Sequence, residues 1–403
     1  MRSGLTTRPA PTPQHSGRPD GQGTRRFAIL HIAQSSGGGV ARVVADLAAR
    51  QVARGDRVVV ACLPDTRLAA AAAQAGAEVR VWNARRSPGP ALLKEAADLR
   101  RIVDSVRPDV VHLHSSKAGL AGRLALRGAL PTVFQPHAWS FEAVTGLLAV
   151  ASVRWERAGA RWAHRLVCVS DGERRQGEAA GVHASYMIVR NGVDIGHFDS
   201  TAAPSRETAR ARLGIDASTP LVVCVARLCR QKGQDVLLAA WPSVTDRIPG
   251  ARLVLVGDGP DRAALAARAP SSVSFAGDVA DPRDWYMAAD LVTLSSRWEA
   301  GMALAPLEAM ACSRPVVVTD VPGAREFLPP HHAADCLVPR DDPTALGGKM
   351  THLLANRASG CALGTQAHEY TLGHHSVDQV AERMYAVYGE AVKVWADGAR
   401  PGG

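Results

Sequence analysis

Short apolar runs alternate with longer amphipathic ones from Phe27 almost to the end of the chain. The pattern predicts a strand over residues 27–32, a Gly-rich turn over 35–39 and a helix over 40–54. A strand at 57–63, an Ala-rich helix to Gly76, a strand at 78–82 and a helix around 91–106 follow, leading to a strand at 109–113. Further strands are expected at 132–135 and 165–169. Strands that alternate with helices of ten or more residues signal βαβ units and a parallel sheet.

Between Asn191 and Pro220 the alternation pauses. An Asn-Gly pair, a Ser/Thr/Ala/Pro stretch and one short basic helix ending at Leu213-Gly214 read as a linker. The pattern then restarts, with strands at 221–226, 252–256, 273–276, 291–294 and 315–319 and helices at 235–246 and 262–268. The expectation is an α/β chain of two doubly wound Rossmann-like domains facing each other across a cleft. Ligands in such sheets bind beyond the carboxyl ends of the strands. The boundaries are read as a tail at 1–24, a first domain at 25–200 and a second at 217–375. A last helix within 376–396 is expected to cross back onto the first domain.

Composition narrows the class. At 403 residues, with 46% apolar and 21% charged residues, the chain has the make-up of a globular protein of more than one domain. No apolar run approaches the roughly 18 residues that span a bilayer. Residues 1–24 lack an apolar core and are rich in Pro, Gly, Ser, Thr and Arg, so they read as a disordered basic tail rather than a signal peptide. With Arg25 and Arg26 at its edge, the tail carries +4 of the formal +9. The modest remainder suits an anionic ligand better than a nucleic-acid track. Seven cysteines are scattered with no Cys-x-x-Cys pair, as expected of small buried hydrophobes in a reducing cytoplasm.

Four segments carry candidate chemistry. Gly37-Gly38-Gly39 lies between a strand and a helix, where backbone amides approach a phosphate; the third glycine of the dinucleotide fingerprint is replaced by Arg42. Arg227 and Lys232 follow the strand at 221–226, and cations at a strand end can neutralise a diphosphate. The stretch from Arg297 to Ala311 places Glu299 and Gly301 in a loop and Glu308 about one turn into a helix, with Pro306 tolerated in the first turn. His137 follows the strand at 132–135 and can donate to a phosphate or a sugar hydroxyl. His112 and His114 are read as pointing to opposite faces of their strand, which disfavours a joint metal site. The chain has no Asp-x-Asp pair for a divalent cation, so side-chain cations are expected to replace a metal.

Together these segments resemble the retaining GT-B glycosyltransferases of family four. The resemblance runs through Gly37–Val43, His137, Val169-Ser170-Asp171-Gly172-Glu173, Asn191-Gly192-Val193-Asp194 and Arg227…Gln231-Lys232-Gly233-Gln234-Asp235. It continues with Leu255-Val256-Gly257-Asp258-Gly259-Pro260 and the Glu299–Ala311 stretch, covering roughly residues 27–395. It implies transfer of a hexose-type sugar from a nucleotide diphosphate-sugar to an acceptor hydroxyl with retention, without metal or other cofactor. It implies that Arg227 and Lys232 hold the diphosphate, Glu308 the ribose, and Glu299 and His137 the transferred sugar. Gly38 and Gly39 would approach the phosphates, while backbone around Gly257, Gly301, Met302 and Ala303 would read base and sugar. The first domain would then take the acceptor and the second the donor. One departure stands out: Glu299 and Glu308 are nine positions apart where the family has eight, as if Ala300 were inserted.

Residues 145–166 carry Arg154, Arg157, Arg161 and Arg165 at helical spacing, with Trp155 and Trp162 on a neighbouring face. Such a helix can lie on anionic lipid, which suits a lipid-linked acceptor and a cytoplasmic protein peripheral to the inner membrane face. The preferred reading is plainer: a packed helix with its arginines solvated. Small-molecule or glycan acceptors are also open, and no nucleic-acid partner is expected. A catalytically lost sugar-nucleotide-binding regulator, or an epimerase or hydrolase of the same fold, is the alternative function.

Overall fold

The computed structural model describes residues 26–35, 37–85, 89–201 and 204–398. The basic tail, and Ser36 of the Gly-rich turn, lie outside them. The first sheet contains β1 (Ala28–Ala33), β2 (Arg57–Cys62), β3 (Glu78–Val81), β4 (Val110–His114), β5 (Thr132–Gln135), β6 (Arg165–Cys168) and β7 (Tyr186–Ile188). The second contains β8 (Leu221–Val225), β9 (Arg252–Val256), β10 (Val273–Gly277), β11 (Leu291–Leu294), β12 (Val316–Thr319) and β13 (Leu337–Val338). Their orders are β3-β2-β1-β4-β5-β6-β7 and β10-β9-β8-β11-β12-β13.

Both sheets are built from parallel pairings around a central pair, β1 with β4 and β8 with β11. Strand order reverses at each central pair, and the loops leaving it diverge to opposite faces, opening a crevice at the carboxyl ends. Strands covered on both faces read as continuous apolar runs. That is why β1 is buried along all six residues and why β9 and β11 were legible as apolar runs.

The chain divides into two compact units. Of the described residues, one takes those up to Val167, Gly181–Met187 and those from Met384 onward; the other takes Cys168–Ala180 and Ile188–Arg383. This departs from a boundary at 200–217, for identifiable reasons. The helix Asp171–Ala179 belongs with the second unit because the Glu326 carboxylate accepts from the amides of Asp171 and Gly172, each at 2.8 Å. The stretch expected to be a linker also docks there. Within it, the helix Arg206–Leu213 buries Arg210, which donates to Asp290 at 2.9 Å and to the carbonyls of Ala288, Asp216, Ala217 and Thr219. From Met384 on, the helix Val377–Ala396 packs with the first sheet: Arg165 donates to Glu390 at 2.8 Å and Trp395 Nε1 to the Ala129 carbonyl at 3.1 Å.

His112 and His114 correct the reading of β4. Strand side chains alternate with period two, so residues two apart share a face. The two rings lie side by side, centroids 3.8 Å apart. Six of the seven cysteines are buried as expected, but Cys361 is exposed.

One buried ion pair organises the first unit beside β5. Arg123 donates to Glu156 at 2.8 Å and to the Gly119 carbonyl at 2.8 Å, with its guanidinium 4.0 Å from the Phe134 ring centroid. Both charged side chains are essentially inaccessible. Removing one partner of such a pair strands a charge in low dielectric. We expect Glu156→Ala to lower unfolding free energy by about 3–5 kcal/mol, measured by urea denaturation. A loss within about 0.5 kcal/mol, ordinary for a surface change, would contradict this account.

Candidate functional site

In the second unit the candidate residues sit on loops leaving the carboxyl ends of β8, β9 and β11. After β8 the chain passes Arg227, makes a 3₁₀ turn over Arg230–Lys232 and enters the helix Gln234–Arg247. Gly233 permits this turn. Its φ is +62°, and a Cβ there would lie 2.1 Å from the Ser295 carbonyl oxygen. The absent side chain lets the turn lie directly against the loop that follows β11.

Arg297 ties the two loops together. Its guanidinium donates twice to Asp235, each bond 2.8 Å, and also to Asp341 at 2.7 Å and the Arg230 carbonyl at 3.0 Å. Hydrogen bonding to Arg297 holds the Asp235 carboxyl below its usual range. With the loops fixed, Lys232 Nζ meets Glu299 Oε1, which also accepts from Ser296 Oγ at 2.8 Å. Arg227 stays exposed, while its carbonyl accepts from Gln234 Nε2 at 3.0 Å.

The extra residue between the two glutamates is absorbed in the loop. The Ala300 carbonyl accepts from Ser170 Oγ at 2.6 Å, and Gly301 turns the chain at φ +91°. The Met302 carbonyl is held by Asn191 Nδ2 at 2.7 Å, and Ala303 caps the helix Leu304–Ala311. Glu308 is buried within that helix, and Tyr286 Oη donates to its Oε2 at 2.7 Å. A small open pocket lies at this helix start, lined by Ser296, Glu299, Gly301, Ala303, Thr319 and Phe327 among others. It takes in Glu299 but not Arg227, Lys232 or Glu308. Gly257 leaves β9 with its amide on the Gly277 carbonyl at 2.7 Å.

In the first unit, the helix Gly38–Arg54 starts without a side-chain cap, and Gly38 has φ +77° with open space where a Cβ would stand. Among the described residues no side chain caps its first turn. His137 lies beyond β5 in left-handed backbone, φ +53°, followed by Ala138 at +100°. His137 Nε2 is 3.1 Å from His114 Nδ1, so β4 supports it from beneath. His31, His112 and His114 have ring nitrogens within 4.8 Å of one another, as a metal site would. Both nitrogens of His31 and both of His114 are already engaged in hydrogen bonds, so a cation would have to displace these.

Several supporting residues escaped the sequence reading. Arg297, Tyr286, Ser170, Asn191 and Glu326 act on the loops rather than on a ligand. Ser170 and Asn191 stood inside matched segments, but nothing in their spacing revealed the carbonyls they hold.

The matched families agree with this architecture. Residues 219–356 match the model described as glycosyl transferases group 1, and residues 37–197 match glycosyltransferase family 4. A D-inositol 3-phosphate glycosyltransferase of Xylanimonas cellulosilytica is 30% identical over 313 residues, 71% of this chain and 72% of the relative. The chain belongs to the group 1, family 4 glycosyltransferases. It is also 29% identical over 222 residues to a GDP-mannose-dependent monoacylated α-(1-6)-phosphatidylinositol monomannoside mannosyltransferase of Corynebacterium glutamicum, a match over 52% of this chain and 58% of that relative. HepE of Anabaena, solved with UDP-glucose, superposes with a TM-score of 0.78 at 22% identity over 90% of this chain and all of its own. Sucrose-phosphate synthase of Thermosynechococcus elongatus gives 0.75 at 21% identity, over 91% of this chain and 99% of its own. The glycosyltransferase has the two-domain GT-B fold.

The buried histidines make stability pH-dependent. Burial lowers His31 to about 4 and His137 to about 3, and lowers His112 and His114 as well. Their folded pKa values lie below the unfolded one, so the unfolded chain binds more protons in between. This contribution is complete above about pH 6.5 and is lost as pH falls toward 4. Asp56, raised by burial to about 6, opposes it as a single group. Unfolding midpoints should fall steadily from pH 6.5 to 4; a profile flat to pH 4 would refute the assignment of neutral buried imidazoles.

Proposed function

We propose that this glycosyltransferase moves a hexose from a nucleotide diphosphate-sugar to an acceptor hydroxyl with retention and without a metal ion. The observation that carries the reading is the Lys232–Glu299 contact at the ends of β8 and β11, beside the helix start that bears Glu308. A diphosphate carries more charge than one carboxylate and would draw Lys232 from Glu299. Glu299 is thereby released toward sugar hydroxyls. Arg227 would grip the diphosphate bidentately, and together the cations stabilise charge developing on the leaving group. Glu308, with Tyr286 orienting one oxygen, would bind the ribose. Gly257, Gly301, Met302 and Ala303 offer backbone to base and sugar, and Gly38 and Gly39 offer amides to the phosphates. His137 would touch the transferred sugar. Same-face attack, with the leaving phosphate taking the acceptor proton, needs no protein nucleophile. The relative named for GDP-mannose supports a hexose donor. The intact cation and carboxylate set favours transfer over the regulator or epimerase alternatives.

Lys232→Ala and Glu308→Ala should each reduce transfer at saturating acceptor by about 10²-fold or more. Product NMR should show the donor's anomeric configuration, and EDTA should leave the rate unchanged. Near-normal turnover in both variants would sink the site assignment.

A lipid-presented acceptor is favoured by one surface. Leu147, Leu148 and Val150 are 87%, 69% and 46% exposed at the start of the helix Gly146–Ala160. Leu147, Val150, Arg154, Arg157 and Arg161 follow one another at spacings of three and four, an apolar tip continued by exposed arginines. Trp155 and Trp162 instead sit half-buried against each other, ring centroids 6.0 Å apart. An apolar tip with a basic flank suits an anionic bilayer surface. Phosphatidylglycerol vesicles should co-sediment the protein at low salt, and Leu147→Ser with Leu148→Ser should weaken this. Failure to bind at low salt would remove the membrane contact.

A further inference from the structure

A hydrogen-bonded chain runs through the core of the first unit from His137 to Gln51. His137 Nε2 lies 3.1 Å from His114 Nδ1, His114 Nε2 lies 3.0 Å from His31 Nδ1, and His31 Nε2 lies 2.7 Å from Gln51 Oε1. The other end of the amide, Gln51 Nε2, donates to Tyr388 Oη at 3.2 Å, leaving the Tyr388 hydroxyl proton for His112 Nδ1 at 2.9 Å. His31, His114, Gln51 and Tyr388 are completely buried. Burial keeps the imidazoles uncharged, so each ring carries one N–H and one lone pair and must donate on one side while accepting on the other.

The polarity of the chain follows from its far end. An amide oxygen only accepts, so the His31 proton sits on Nε2. His31 Nδ1 then accepts from His114 Nε2–H, and His114 Nδ1 accepts from His137 Nε2–H. His137 Nδ1 makes no hydrogen bond among the described residues and keeps its lone pair. The backbone at His137 and Ala138 is left-handed at two successive non-glycine positions, strain that persists only where the surroundings hold it.

We infer that Gln51, acting through His31 and His114, holds His137 in its Nε2–H tautomer, so that His137 accepts a hydrogen bond from a ligand hydroxyl rather than donating one to a phosphate oxygen. Gln51, His31 and His114 are thus positioning residues. Turning the Gln51 amide round would reverse every proton along the chain. The inference rests on the reading of His137 as a ligand-facing residue, and it sharpens that reading by excluding phosphate as its partner.

The test uses the full chain with ¹⁵N-labelled histidine, in which long-range ¹H–¹⁵N correlations separate the two tautomers. His137, assigned by its loss in His137→Ala, should show a protonated Nε2 and a bare Nδ1. Gln51→Met, which fills the space without an acceptor oxygen, should mix or reverse the His137 tautomer. It should also raise donor KM about three- to tenfold, the worth of one hydrogen bond, with a smaller change in kcat. Gln51→Glu, which keeps an oxygen toward His31, should restore both. A protonated His137 Nδ1 in the wild-type chain, or an unchanged tautomer in Gln51→Met, overturns the inference. The wild-type tautomer needs neither a variant that folds nor a substrate. Transfer kinetics of His137→Ala separately test whether His137 faces the ligand at all.

Discussion

The guanidinium of Arg297 holds together the two loops that carry the candidate site in the second unit. Its paired bonds to Asp235 anchor one loop to the start of the helix after β8, and its bonds to Asp341 and the Arg230 carbonyl close the remaining freedom. Glu299 lies two residues further along, so its approach to Lys232 follows from where Arg297 is fixed. The Lys232–Glu299 pair itself is partly accessible. Both side chains still keep an edge toward solvent, so an anion can reach Lys232. The organisation resides in the loops rather than in that contact. An anion arriving at Lys232 would compete with Glu299 for it while the Arg297 bonds keep the loop frame in place. That division of labour, a rigid frame carrying an exchangeable ion pair, is what a site for a charged leaving group requires.

Much of this was legible because parallel strands buried on both faces have a plain signature. β1, β9, β11 and β12 appear as apolar runs followed by turn residues, and every candidate site residue except Gly38, Gly39 and Glu308 stands in a turn or loop. Glu308 was legible through the helix start at Leu304, where Pro306 occupies a first-turn position. The short edge strands β7 and β13, three and two residues long, left no pattern to read. The segment 191–220 was misread because its turn-forming composition is that of a linker. Its attachment depends on Arg210, whose burial rests on three carbonyls of the turn just after its helix and on the distant Ala288 carbonyl and Asp290 carboxylate. A buried arginine looks in sequence like any basic helical residue.

The histidines show a different limit. His31, His112 and His114 sit in strands that otherwise read as core, where an isolated histidine is most simply a satisfied interior residue. The period-two rule was enough to bring His112 and His114 onto one face, and its misapplication concealed the cluster. Even applied correctly, it could not have linked His31 to Gln51, which projects from the helix after β1, or His112 to Tyr388, more than 270 positions away. Networks assembled from several elements are visible only after packing.

The two halves of the candidate machinery handle charge in opposite ways. In the second unit, Arg227 is exposed and Lys232 is engaged by Glu299 at the edge of solvent. In the first, a row of imidazoles is driven neutral by burial, and His137 at its end contributes a directional lone pair instead of charge. A histidine of ordinary pKa would be partly cationic near neutrality and would attract phosphate wherever it stood. Keeping His137 neutral removes that competition. On the proposed reading the diphosphate is then left to the lysine and arginine, and His137 to a hydroxyl. Selectivity between the two ends of a sugar nucleotide would, on that proposal, rest on one electrostatic distinction: cations that accept an anion, and a neutral ring whose bare nitrogen cannot donate to one.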